Sequence, residues 1–178
     1  MANKDRVFIA IYTRPGTSDL SSLSSTRSKP KPDKYHWGIW VEAKNSSGAG
    51  TSYDLEDSVA YSSVTNPFGW RFHIDDHKAP PPRMLGRIMI GKMPEGMSGA
   101  NIAGILKEVP LPSDPGSVIG DVVAWIKATI EELQDAGCAE RFSIEAFMSD
   151  ALGFATNWHA KGEREAQKVN YTWSRTFP

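Results

Sequence analysis

The chain has 178 residues, 40% of them hydrophobic, and its 20 Lys and Arg nearly cancel its 21 Asp and Glu. That is enough apolar material for a single domain spanning 1–178, with no positive field to hold a phosphate backbone, so nucleic acid is excluded as a partner. One cysteine, Cys138, excludes an internal disulfide framework and a multi-thiolate zinc site, and no apolar run is long enough for a membrane span.

The run Val7 to Tyr12, "VFIAIY", is short, β-branched and aromatic, bounded by charges and by "RPG", which predicts a buried first strand. It is too short for the apolar core of a signal peptide, so a cytoplasmic location is expected. Residues 14–34 are rich in Ser, Pro and Lys without apolar period and predict a flexible surface loop that could serve as a lid. The basic cluster Arg27, Lys29, Lys31 and Lys34 belongs to that solvated stretch.

Tyr35 to Glu42 predicts a second strand, and "AKNSSGAG" a turn into a third around Thr51 to Leu55. Residues 66–74 predict a further aromatic strand before "HKAPPPR", where consecutive prolines break the ladder, and "MLGRIMIGKM" predicts another. From there the period changes. Ser98 to Lys107 predicts a short helix. Val118, Val122, Trp125, Ile126, Thr129, Ile130 and Leu133 recur at three- and four-residue steps after a cap at Ser117 and before Gly137, which predicts a core-facing helix. Ile144, Phe147, Met148, Ala151, Leu152 and Ala155 predict a second after Ser143, and the polar tail 158–170 a weaker helical stretch. Strands first and helices later give an α+β fold, an antiparallel sheet packed against two or three helices.

His36 opens the second strand, where it is either a base or one more ring stacked among Tyr35, Trp37 and Trp40. On the third strand Tyr53, Asp54 and Glu56 are in reach across the hairpin, Asp54 and Glu56 on the face opposite Tyr53. Asp121, four residues before Trp125 in the first turn of its helix, either answers the helix dipole or pairs with His36 as acid and base. "HIDDH", residues 73–77, has metal-ligand spacing only on a helix, and its flanks indicate strand running into loop, so no metal is expected. Trp70, Phe72, Trp158 and Trp173 are either core or the lining of an apolar pocket.

The segments "RVFIAIY", "YHWGIWV", "RIMIGKM" and "VVAWIKATIEEL", in that order, resemble an uncharacterised fungal family of unknown function, over about Arg6 to Leu152. Its members carry a "YHWAL"-like strand and an "NCVAWV"-like helix start, an order similar to permuted papain-like folds of the lecithin retinol acyltransferase type. The resemblance implies a scaffold in which a strand histidine meets a cysteine at a helix N-terminus. Alignment on Trp125 puts Val122 at the cysteine position and Asp121 at the asparagine position, so thiol chemistry is lost there, and Cys138, after a helix stop, is no substitute.

These residues lead to an expectation of noncovalent acid/base chemistry on a small molecule, as in an isomerase, cyclase or lyase of specialised metabolism, with no cofactor. His36 and Asp121 are the expected catalytic pair. Tyr35, Trp37, Tyr53, Asp54 and Trp125 are expected to bind substrate. The alternatives are a noncatalytic binding protein with a degenerate site, and a hydrolase or acyltransferase that activates water.

Overall fold

The computed structural model describes residues 4–14, 31–66, 69–112, 120–162 and 165–172. Six strands form one sheet: β1 (Arg6–Thr13), β2 (Tyr35–Glu42), β3 (Gly50–Asp57), β4 (Trp70–His77), β5 (Met84–Lys92) and β6 (Gln167–Asn170). Three helices accompany it: α1 (Gly99–Glu108), α2 (Gly120–Asp135) and α3 (Ile144–Lys161). The order across the sheet is β4-β3-β2-β1-β5-β6. Every pairing is antiparallel except that of β6 with β5. The fold is α+β, as expected, but the sheet is mixed rather than wholly antiparallel. The tail expected to be weakly helical is instead α3 as far as Lys161, followed by the strand β6.

The central strand β1 is apolar on both faces because both faces are covered. Val7, Ile9 and Ile11 join Trp37, Ile39, Ile88 and Ile90 in a core shared with α2 and α3. Phe8, Ala10 and Tyr12 join Trp40, Met84 and Met89 in a smaller cluster on the opposite face. The pleat makes this division, since alternate residues of a strand point to opposite sides. The buried stripes of α2 and α3 follow the predicted spacing, with Val122, Trp125, Ile126, Thr129, Ile130 and Leu133 buried on α2.

Local chemistry sets the helix ends. Asn101 Oδ1 accepts from the Ser98 N–H at 2.9 Å, Ser143 Oγ accepts from the Ala146 N–H at 3.3 Å, and Gly162 (φ 60°) ends α3 in the left-handed conformation. The predicted cap Ser117, Val118 and most of the predicted loop 14–34 lie outside the described residues; its described parts are Arg14 and residues 31–34, with a 3-10 turn at Pro32–Lys34. Among the described residues no helix is long and apolar enough to cross a membrane.

Candidate active site

Five strands present the same end here: the C-terminal ends of β1 and β3 and the N-terminal ends of β2, β4 and β5. Pairing of β2 with β3 stops at Gly38–Asp54, whereas β3 stays paired with β4 as far as Asp57–Trp70. The two pairs part beyond that point and leave a wedge. It forms a cleft of about 390 Å³ whose polar wall includes His36, Asp54, Glu56 and Asp57. Leu55, Trp70 and Val122 wall the cleft toward the helices, and Arg14 and Arg83 complete it.

His36 is on the sheet face away from the helices, its ring 25% exposed, with Nε2 3.2 Å from Asp54 Oδ2. A carboxylate only accepts, so Nε2 carries the proton, and in the neutral ring Nδ1 keeps its lone pair. Among the described residues Nδ1 has no hydrogen-bond partner. An imidazole held at one nitrogen by a carboxylate, with the other unprotonated, is a base ready to accept a proton.

Gly38 makes this pairing feasible. A methyl group there would lie 3.1 Å from Asp54 Cβ and 3.2 Å from Tyr53 O. A bare backbone at Gly38 therefore lets the Asp54 side chain lean across β2 to reach His36. On the far side of Asp54, His73 Nδ1 lies 3.4 Å from Oδ1, too poorly aligned for a hydrogen bond, and 3.3 Å from Glu56 Oε1. Arg71 holds Glu56 at 2.8 Å. Basic and acidic side chains thus alternate from Arg71 through Glu56, His73 and Asp54 to His36.

Tyr12, paired with His36 in the β1–β2 register, places its ring 5.6 Å from the imidazole. Its hydroxyl is buried without a hydrogen-bond partner among the described residues. Burial first, and then the Asp54 carboxylate, push the phenol above its ordinary range against the lowering effect of Arg83 and Arg87. Tyr12 is therefore a neutral phenol over the whole working range of a histidine base.

Four of the expected substrate contacts are not among the residues that line the cleft. Tyr35, Trp37, Tyr53 and Trp125 face the helices, each at most 3% exposed. Tyr35 and Trp37 flank His36 in sequence, and the pleat therefore sends them to the other side. Trp37 Nε1 donates to Pro32 O at 2.8 Å, Tyr53 Oη donates to Gly99 O at 3.3 Å, and Trp125 packs on Phe72. Asp54 is the one member of that set at the cleft.

Val122, near the start of α2, lines the same cleft as His36. The Asp121 side chain lies outside the described residues. Of the four residues weighed as an apolar lining, Trp70 is at the cleft, Phe72 and Trp158 pack in the core, and Trp173 lies outside the described residues.

Cys138 is fully buried with Sγ 3.1 Å from Met97 Sδ, and burial pushes its thiol up to about 11, which leaves almost no thiolate near neutrality. "HIDDH" is strand throughout, so its histidines part: His73 turns to Asp54 and Glu56, while His77 stacks on Trp40 and meets Ser52 Oγ at 3.0 Å. Among the described residues no three His, Cys, Asp or Glu side chains are grouped so that they could hold a metal ion.

Sequence reasoning missed Tyr12, Arg14 and Arg83. The only signal for Tyr12 was its alternation with Ile11, and for the arginines their places just after one strand and just before another. Neither comparison with curated proteins nor comparison with solved structures yields a match. Residues 4–174 match a family of unknown function, DUF6914, and the chain belongs to that family.

Proposed function

We propose that the protein is a small-molecule enzyme that moves protons without a covalent intermediate, as an isomerase, cyclase or lyase does. His36 is the base, through Nδ1. Asp54 holds the ring in the competent tautomer and stabilises the imidazolium that forms. Asp121, the residue before the cleft-wall Val122, is the second proton-carrying group in this reading. The observation that carries it is the 3.2 Å contact of His36 Nε2 with Asp54 in the wall of a cleft large enough for a small metabolite.

A purely binding role would suit a His36 sealed among aromatic rings. The quarter-exposed ring at a cleft favours chemistry instead. A fungal, cytoplasmic setting in specialised metabolism, and papain-like ancestry with Val122 in the nucleophile's place, belong to the same proposal.

Proton abstraction leaves a record in heavy water. Incubated in D2O with a panel of small ketones, keto acids and hydroxy acids, the wild-type protein should incorporate deuterium into at least one compound. The rate should be about a hundredfold above that of His36→Ala, with Asp54→Asn between them and all three folded by circular dichroism. Absence of exchange across the panel, or equal exchange by His36→Ala, would overturn the proposal.

A further inference from the structure

We infer that the cleft takes a small molecule carrying an anionic oxygen group, a carboxylate or a phosphate, seated on Arg14 and Arg83 with its reacting end toward His36. The last clause rests on the function proposed above, and the anion site stands on its own geometry.

Charge across the cleft follows strand order. Arg83 precedes β5 and Arg14 follows β1, His36 lies on the adjoining β2, and Asp54, Glu56 and Asp57 lie on β3. The acidic side is largely engaged, since Asp54 faces His36 and His73, and Glu56 faces Arg71 and His73. On the basic side, Arg83 has no ion pair or side-chain hydrogen bond among the described residues. The cleft is therefore a dipole with His36 between its poles. A ligand with one anionic end enters it in one orientation.

Both arginines are held by backbone bonds. Arg14 Nε donates to Tyr35 O at 3.2 Å, which fixes its guanidinium beside the first residue of β2. Arg83 follows Pro80, Pro81 and Pro82, its carbonyl accepts from the Thr13 N–H at 2.9 Å, and Met84 N–H closes on Pro81 O at 2.8 Å. Three prolines and two backbone bonds limit where the side chain can start. A guanidinium fork matches the spacing of carboxylate and phosphate oxygens. In the same cleft as the base, it would also stabilise the negative charge that develops when a proton leaves carbon beside a carboxylate.

The test uses the full chain and simple anions. Ring signals of His36 and side-chain signals of Arg83 are followed by NMR while inorganic phosphate or acetate is added at constant ionic strength set by chloride. One or both anions should give saturable shifts, and the comparison of the two arms tells phosphate from carboxylate recognition. Arg83→Ala should weaken the binding about tenfold or more, with Arg83→Lys between. Linear, unsaturable shifts, or the same affinity in Arg83→Ala, would overturn the anion site. The proposed function is separated by Asp54→Asn. If that change alters the His36 ring signals and anion binding still fails, only this inference falls; if it leaves them unchanged, the histidine–carboxylate reading falls instead.

Discussion

Replacing Glu42 by alanine should destabilise the fold by about 3 kcal/mol, because it strands the buried Arg87 guanidinium in the sheet. The Glu42 side chain is fully buried, and its carboxylate accepts from Arg87 Nε at 2.8 Å, from Trp40 Nε1 at 3.2 Å and from Lys168 Nζ. The cations stand over the Phe8 ring, Arg87 Cζ at 5.7 Å and Lys168 Nζ at 5.1 Å from its centroid. This network spans β2, β5 and β6 across the central strand, so it fastens the parallel strand β6 to the sheet. Lys168 retains some access to water and can turn outward, whereas Arg87 cannot. Urea denaturation should therefore show a lowered midpoint at unchanged slope. The double change Glu42→Ala with Arg87→Met should recover part of the loss, since it removes the uncompensated charge. A Glu42→Ala protein as stable as wild type would show that the network contributes nothing to the fold.

Trp37→Ala should cost about 3–5 kcal/mol, the range for deleting a buried aromatic ring. Trp37 is 0% exposed, it belongs to the helix-side core, and its indole N–H holds the turn Pro32–Lys34 against β2. Trp37→Phe keeps most of the apolar volume and loses the bond to Pro32 O, and should cost clearly less. Thermal unfolding of the two variants checks the order. If Trp37 were a substrate contact, Trp37→Ala would leave stability near wild type and remove ligand binding alone.

The contrast within "YHW" shows what was legible in the sequence. Alternation along β2 separates His36 from Tyr35 and Trp37, and the same rule puts Asp54 and Glu56 opposite Tyr53. Applied strictly, it takes Tyr35 and Trp37 off the face of β2 that carries His36. Which face carries the helices is a tertiary fact, visible only once α2 packs beside Trp37. The helical stripes of α2 and α3 were readable because their period extends over several turns. β6 was not, because four half-buried residues pair with a strand some 80 positions earlier in the chain and leave no local pattern. The strand ladder brings Arg14 and Arg83 together for the same long-range reason.

The account stands most directly on the protonation of one ring. In nitrogen-15 NMR of the full chain at mildly alkaline pH, His36 should appear as the neutral tautomer with the proton on Nε2 and a lone pair on Nδ1, and Asp54→Asn should disturb that signature. A His36 ring protonated on Nδ1 instead, or a signature indifferent to Asp54→Asn, would contradict the claim that Asp54 prepares His36 as the base of this cleft.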